Sequence, residues 1–526
     1  MRVQLIKFGS LMGLLLFFSP VAGAQLIDNN QAPNTAKAGI NKSLADEIGA
    51  GRGDIMTPNS SLFIINRDPF RAVRRGRQIF QRKFTREQGQ GPANSDGNGN
   101  INVTAGIGAG LSDSCAGCHG RPRGSAGSGG DVATRPDSRD APHLFGLGLK
   151  EMLADEMTSD MRAIRAQAID DAKKRGRPVT RQLDTKGVSF GSITAHPDGS
   201  VDTSNVSGVN PDLRVRPFFA EGTTISIREF LVGAFRNEMG LMGADPDLLT
   251  ASAGGRVVTP SGMVLDGSLD KIEAPPLTDN GSDPDGDGVN NELPTSLIDH
   301  EEFYLLHYFK PGLYEQTDTT EKGRKLFDKV GCSSCHVADM LIEHDRRVAD
   351  LDTVYDPARG IFNRLFSTAT PSLHEVNDNS GFPSIKVPNG GPFLVKNIFT
   401  DFKRHDLGPN FYERNYDGTL QKEFLTRPLW GVGSTSPYGH DGRSINLHEV
   451  ILRHGGESQA SRDAYAHLDS GSQAALQTFL NALILFPPDD TASTLDPGVP
   501  TTPNFPQAGH GSIKLTVLFN DPTDPE

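Results

Sequence analysis

The sequence predicts a mainly α-helical fold made of two similar helical units with loop-rich insertions. Three observations carry this. A Gly-Arg-x-(Ile/Leu)-Phe string on a helical pattern occurs twice, at residues 76–80 and 323–327. Each copy leads, after a loop, into a Cys-x-x-Cys-His string: Cys115-Ala116-Gly117-Cys118-His119 in the first half and Cys332-Ser333-Ser334-Cys335-His336 in the second. Between and after them, apolar residues recur chiefly at helical spacing, so few strands are expected.

Taken in order, residues 1–24 read as a signal peptide. Arg2 and Lys7 make a positive start, an apolar run covers residues 11–18, and Ala22-Gly23-Ala24 supplies small residues before Gln25. That run is too short to span a bilayer, no later one is long enough, and no Cys follows it to carry a lipid. A periplasmic or secreted protein is expected. Residues 25–310 form the first unit, in which 25–62 wrap the surface as a loop. Helices are expected at 71–85, 147–175, 225–239 and 295–308. Gly/Asn-rich and Gly/Asp-rich loops fill 88–110 and 280–293. The second unit, 311–490, has helical patterns at 319–329, 447–454 and 471–485. From 491 to 526 a Pro-, Thr- and Asp-rich tail is expected to be poorly ordered.

With 526 residues the chain can build two or three domains. Its formal charge of −13 argues against binding nucleic acid and suits a basic protein partner. The four cysteines are Cys115, Cys118, Cys332 and Cys335, and none lies outside the two strings. In an exported chain four cysteines ordinarily suggest disulfides. Here each pair is followed by His, which is the pattern for haem attachment. The two thiols add to the vinyl groups, and the adjacent His119 or His336 ligates the iron. Two covalently bound haem c groups are expected, one in each half.

Residues 427–457, RPLWGVGSTSPYGHDGRSINLHEVILRHGGE, resemble the C-terminal signature of the bacterial di-haem cytochrome c peroxidase superfamily. The string is most similar to the di-haem oxidoreductase (thiol-oxidoreductase-like) branch. The resemblance extends over residues 71–484, interrupted by insertions. It implies that the position fourteen residues after His440, which is His454, is the second axial ligand of the C-terminal haem. The peroxidases have Met there. Imidazole in place of thioether implies a lower reduction potential for a His336/His454 haem. In Phe-Arg-Asn-Glu-Met-Gly (235–240), Glu238 resembles the distal carboxylate of the peroxidases. Such a group can carry a proton from one oxygen of peroxide to the other before the bond breaks.

Departures from the family's pattern are informative. Where the peroxidases place a Trp between the haems, this chain has Phe218-Phe219, and its single Trp is Trp430. The stretch 124–140, where many peroxidases carry a loop His that closes the first haem, has neither His nor Met. An open iron on His119 is therefore expected. The family's inter-haem calcium is matched by Thr435 and Pro437, with Asp140 nearest to its third ligand. A separate loop places Asp283, Asp285 and Asp287 at alternate positions with Gly288 next, as at the start of a calcium loop. Pro294 stands where the bidentate Glu belongs, and a plain acidic turn accounts for this loop equally well. The strings around His405 and His440 recur in the family, and propionate binding or loop fixing explains them as well as catalysis does.

The function implied by the resemblance is an oxidoreductase that reduces hydrogen peroxide at the N-terminal haem. Electrons would enter through the C-terminal haem from a small donor protein such as a cytochrome c or cupredoxin. Two other readings stay open: a di-haem oxidase or oxygenase acting on an organic or protein substrate, and an electron-transfer cytochrome without catalysis.

Overall fold

The computed structural model describes residues 43–91, 112–119, 141–284, 286–308, 311–313, 316–355, 365–415 and 418–485. The expected signal peptide, the 124–140 stretch, Asp140, Asp285 and the C-terminal tail lie outside them. In the first half the helices are α1 (Leu44–Ile48), α2 (Ser61–Arg67), α3 (Pro69–Gln81), α4 (Cys115–His119), α5 (Leu147–Arg175), α6 (Ile227–Ala234), α7 (Pro246–Ser252) and α8 (Thr295–Leu306). The second half has α9 (Asp318–Lys329), α10 (Leu447–Arg453), α11 (Gln459–Ala466) and α12 (Ser470–Asn481). Among the described residues no helix is long and apolar enough to cross a membrane.

The repeated glycine has a physical reason. In the first half α3 crosses α8, and a Cβ on Gly76 would lie 2.2 Å from the His300 carbonyl oxygen and 2.3 Å from the Tyr304 Cβ. In the second half α9 crosses α12, where a Cβ on Gly323 would lie 2.1 Å from the Ala475 oxygen and 2.7 Å from the Phe479 Cβ. Only glycine lets the backbones approach so closely. One turn on, Phe80 and Phe327 point into the two cavities described below. Capping sets where these helices begin. Asp68 accepts the Arg71 amide before α3, and Thr317 and Thr320 cap each other reciprocally at the start of α9.

The expectation of a mainly α protein is corrected. The described residues are 38% helix and 16% strand, with the strands spread over many small sheets, and so form a mixed architecture. Within the uninterpreted stretch after α5, strands Val179–Thr185 and Val188–Ala195 form an antiparallel hairpin, joined in a three-stranded sheet by Val201–Asp202. Its turn residues, Lys186 and Gly187, both have positive φ, as a two-residue hairpin turn requires. A register shift between Gln182 and Asp184 breaks the alternation that would have marked the strand in the sequence. Between residues 340 and 425 most strands have only two to four residues, too few to show a period of two. The exception there is the pair Ala349–Tyr355 and Leu365–Pro371.

The larger apolar core lies under the first half and also takes in Met340, Ile342, Val395, Phe402 and Trp430. The smaller one gathers Phe327, Phe399, Leu447, Tyr465, Leu476 and Phe479 around the second Cys-x-x-Cys-His string.

Candidate functional site

Each Cys-x-x-Cys-His string opens into its own cavity. In the first half Cys115, Cys118 and His119 line a cavity of about 900 Å³. His119 Nδ1 lies 2.7 Å from the Pro142 carbonyl oxygen. A proton on Nδ1 donates there, leaving Nε2 with its lone pair for a metal. The segment leading to Cys115 is stitched to the far wall, because the Ser112 amide donates to the Glu238 carbonyl oxygen at 3.1 Å. Glu238 is half-buried and lines the same cavity as His119. It sits in a π-helical turn, Phe235–Met239, that ends α6. Such turns are often found at functional sites.

His143 also lines this cavity, but both its nitrogens are engaged. Nδ1 accepts the Phe145 amide at 3.2 Å, so Nε2 carries the proton and donates to the Trp430 carbonyl oxygen at 2.7 Å. Burial pushes its pKa down to about 4, keeping it neutral. Among the described residues of this cavity, His119 is therefore the one imidazole with a nitrogen free for iron.

In the second half Cys332, Cys335, His336 and His454 line one cavity of about 310 Å³. His336 Nδ1 lies 2.9 Å from the Phe399 carbonyl oxygen, and His454 Nδ1 lies 2.8 Å from that of Val450. Both therefore leave Nε2 available. Burial lowers both pKa values, that of His454 to about 4, with the neighbouring His336 acting in the same direction. Two neutral imidazoles facing one cavity are a donor set that suits iron.

The tyrosine-to-arginine string around His440 turns out to hold His454 in place. Arg453, next to His454, is clamped by Asp441 at 2.6 and 3.2 Å, and its guanidinium lies 4.5 Å from the Phe411 ring centroid. His440 stacks on Phe424 at 4.0 Å and lies 2.8 Å from Glu413. His405 is held between Asp401 at 2.9 Å and Glu457 at 2.7 Å. Burial is the largest single influence and opposes its charge, but the bonds to Asp401 and Cys335 and their charges together push the pKa up to about 11. Asp441→Ala is expected to cost about 3 kcal/mol by removing the carboxylate partner of the part-buried Arg453, which among the described residues keeps only neutral acceptors on Ser444 and Asn410. The readout is a lowered urea midpoint at unchanged slope, and an unmoved midpoint refutes the clamp.

The two cavities share a wall of Pro142, His143, Lys150, Ala220 and Arg427. Lys150 makes no ion pair among the described residues, and its ammonium lies 5.5 Å from the Phe218 ring centroid. Burial pushes its pKa down to about 7, and Arg427 adds to this. Two cations in an inner wall fit a cofactor whose edges carry carboxylates, as haem does. Sequence reasoning missed Lys150. Phe218 and Phe219 line the first cavity, Phe219 with φ of 60°. Trp430, assigned by sequence to the C-terminal signature alone, is buried against the start of α5. A Cβ on Gly146 there would lie 2.4 Å from its ring.

The calcium candidates fare differently. Thr435 and Pro437 line the second cavity, while Asp140 lies outside the described residues. Asp283 accepts the Gly286 and Gly288 amides at 2.8 and 3.0 Å, and Asp287 accepts that of Val289 at 2.7 Å. The loop thus engages its own carboxylates, while Asp285 is not described. Among the described residues the close-set group of metal-ligating side chains is Cys335, Asp401 and His405.

Comparison with known proteins agrees with this chemistry. No curated protein matches the chain. Among solved structures it is similar to hydrazine synthase of Kuenenia stuttgartiensis, at 15% identity and a TM-score of 0.32, over 86% of this chain and 99% of that one. It is also similar to a MauG-like protein associated with microbial copper homeostasis, at 15% identity and a TM-score of 0.26, with the same coverage of 86% and 99%. Scores this low carry no weight for fold or activity. Residues 338–483, which contain Trp430, His440 and His454, match the family described as "Di-haem oxidoreductase, putative peroxidase". Over that stretch the chain is similar to the di-haem, peroxidase-like oxidoreductases that the family describes.

Proposed function

We propose that this chain is an exported di-haem c-type cytochrome that reduces hydrogen peroxide to water, with two electrons and two protons consumed for each O–O bond broken. The observation that carries the reading is the difference between the two cavities. One holds two imidazoles with free nitrogens, His336 and His454. The other pairs a single such imidazole, His119, with the carboxyl of Glu238. A haem attached through Cys115 and Cys118 would supply the redox chemistry at the first site when bound. A second, attached through Cys332 and Cys335 and ligated by His336 and His454, would pass electrons in from a small donor protein.

The chain's own residues do the rest. Glu238 moves a proton between the peroxide oxygens, and the Pro142 carbonyl fixes His119 in the tautomer that presents Nε2. Lys150 and Arg427, which line both cavities, would hold acidic edges of the cofactors at the shared wall. Trp430, touching that wall through His143, offers an indole close to the route between the haems. Calcium at Thr435 and Pro437 belongs to the same proposal.

The test is the spin state of the ferric protein, followed by absorbance and electron paramagnetic resonance through peroxide addition. One high-spin and one low-spin haem are expected, with peroxide changing only the high-spin signal. Two low-spin haems unmoved by peroxide or cyanide would mark an electron carrier instead. Turnover of an organic substrate without peroxide reduction would mark an oxygenase.

A further inference from the structure

The two helix crossings supply an internal alignment. His300 and Tyr304 face Gly76 as Ala475 and Phe479 face Gly323. The next position on each helix must then correspond, which pairs Glu301 with Leu476 and Leu305 with Leu480. Leu476 and Leu480 line the second cavity, and Glu301 and Leu305 line the first. At one cofactor-facing position, therefore, the first unit has a carboxyl where its sister unit has a leucine.

Glu301 is fully buried. Its Oε1 accepts from the Cys115 Sγ at 3.2 Å, and its Oε2 has no hydrogen-bond partner among the described residues. Leaving a buried polar atom unpaired costs on the order of 1–3 kcal/mol, so the position is not explained by stability. Cys115 attaches the cofactor and does not ligate iron. Once its sulfur is a thioether it cannot donate to Glu301, and the carboxyl loses that bond.

We propose that Glu301 couples a proton to reduction of the N-terminal haem. With haem bound, an external one-electron donor would reduce the iron from ferric to ferrous. The site loses one positive charge, and the Glu301 carboxylate takes one proton from solvent to become the neutral acid. The inference rests on the haem reading above. The sign follows from Coulomb's law in a poorly solvated site: a carboxylate is held by the ferric charge and loses that support on reduction.

Burial raises the Glu301 pKa to about 8, with the Cys115 bond opposing and Glu47 adding to the rise. Among the described residues, Tyr304 one turn along α8 feels its charge, and His119 and Glu238 line the same cavity. From α1, Glu47 is paired with Arg82 at 2.6 Å. From α6, Arg228 is taken by Glu302 at 2.7 Å. From α3, Arg77 acts on Tyr304 and Tyr308. From α5, Lys150 lines the same cavity.

The experiment is spectroelectrochemical titration of the haem-loaded protein between pH 6 and 10, beside Glu301→Gln and Glu301→Leu, the latter being the sister unit's own residue. Haem content is counted first. In the parent the reduction equilibrium of the high-spin haem should fall with rising pH, approaching tenfold per pH unit, about 59 mV for one electron. The fall runs from the ferric-state pKa to the ferrous-state pKa of the coupled group. Both variants should be flat, and the low-spin haem should be unaffected in all three proteins. A parent slope that survives in Glu301→Gln, or a flat parent carrying both haems, overturns the proposal alone. A chain with no haem on Cys115 and Cys118 overturns it together with the reading beneath it.

Discussion

Glu238→Gln is expected to lower peroxide turnover about 10²–10⁴-fold while both haems stay attached, because general acid–base catalysis contributes on that scale. The amide keeps the size and most of the hydrogen bonding of the acid but cannot carry a proton between two oxygens. Folding should tolerate the change. The contact that ties this turn to the Cys115 segment runs through the Glu238 backbone carbonyl, which the substitution leaves in place. Stopped-flow turnover at saturating peroxide, with haem content measured by absorbance, is the check. A variant within threefold of the parent would remove Glu238 from the mechanism and leave a half-buried carboxyl at the end of a helix.

The second large effect is expected from His454→Ala. Losing one of the two imidazoles should turn the C-terminal haem from six-coordinate low-spin to five-coordinate high-spin, visible in the ferric spectrum without any substrate. The ring also packs edge-on against Phe411 at a centroid distance of 5.3 Å, so some stability should go with it. His454→Met separates the two effects. A thioether would restore six-coordination and raise the reduction potential of that haem. An unchanged spectrum in the alanine variant means that His454 is not a ligand. His448, on the same helix, has its Nδ1 2.8 Å from the Tyr465 hydroxyl and makes a suitable control.

The candidate attachment residues could be proposed from the sequence because the chemistry they would carry is local. Cysteine attachment needs two thiols and an imidazole within five residues, and a helix leads into each string. The helical repeat around Gly76 and Gly323 was equally plain, and so was the long pattern that became α5, Leu147–Arg175. Strand content was not legible. The hairpin after α5 is bulged, and the short strands beyond residue 340 owe their form to the packing of neighbouring segments rather than to their own pattern. One expected helix, 471–485, also divides. It ends at Asn481, and Leu483–Ile484 pairs instead with Gly312–Leu313.

The sequence by itself determined that there are two Cys-x-x-Cys-His units and in which order they occur, and it named the residues proposed to hold each cofactor. The sequence also proposed that their ligands differ; tertiary structure alone decided where the units meet and which buried side chains stand beside those candidates. It engaged both nitrogens of His143, buried Trp430 against Gly146 and set Lys150 beside Arg427 in the shared wall. It also turned Glu301 into the first cavity where the second has leucine. The reason is one of distance along the chain. Attachment is a matter of five adjacent residues, whereas His143 and Trp430 are 287 residues apart. Only packing brings such groups within reach, and the asymmetry of the two cavities is made of contacts of that kind.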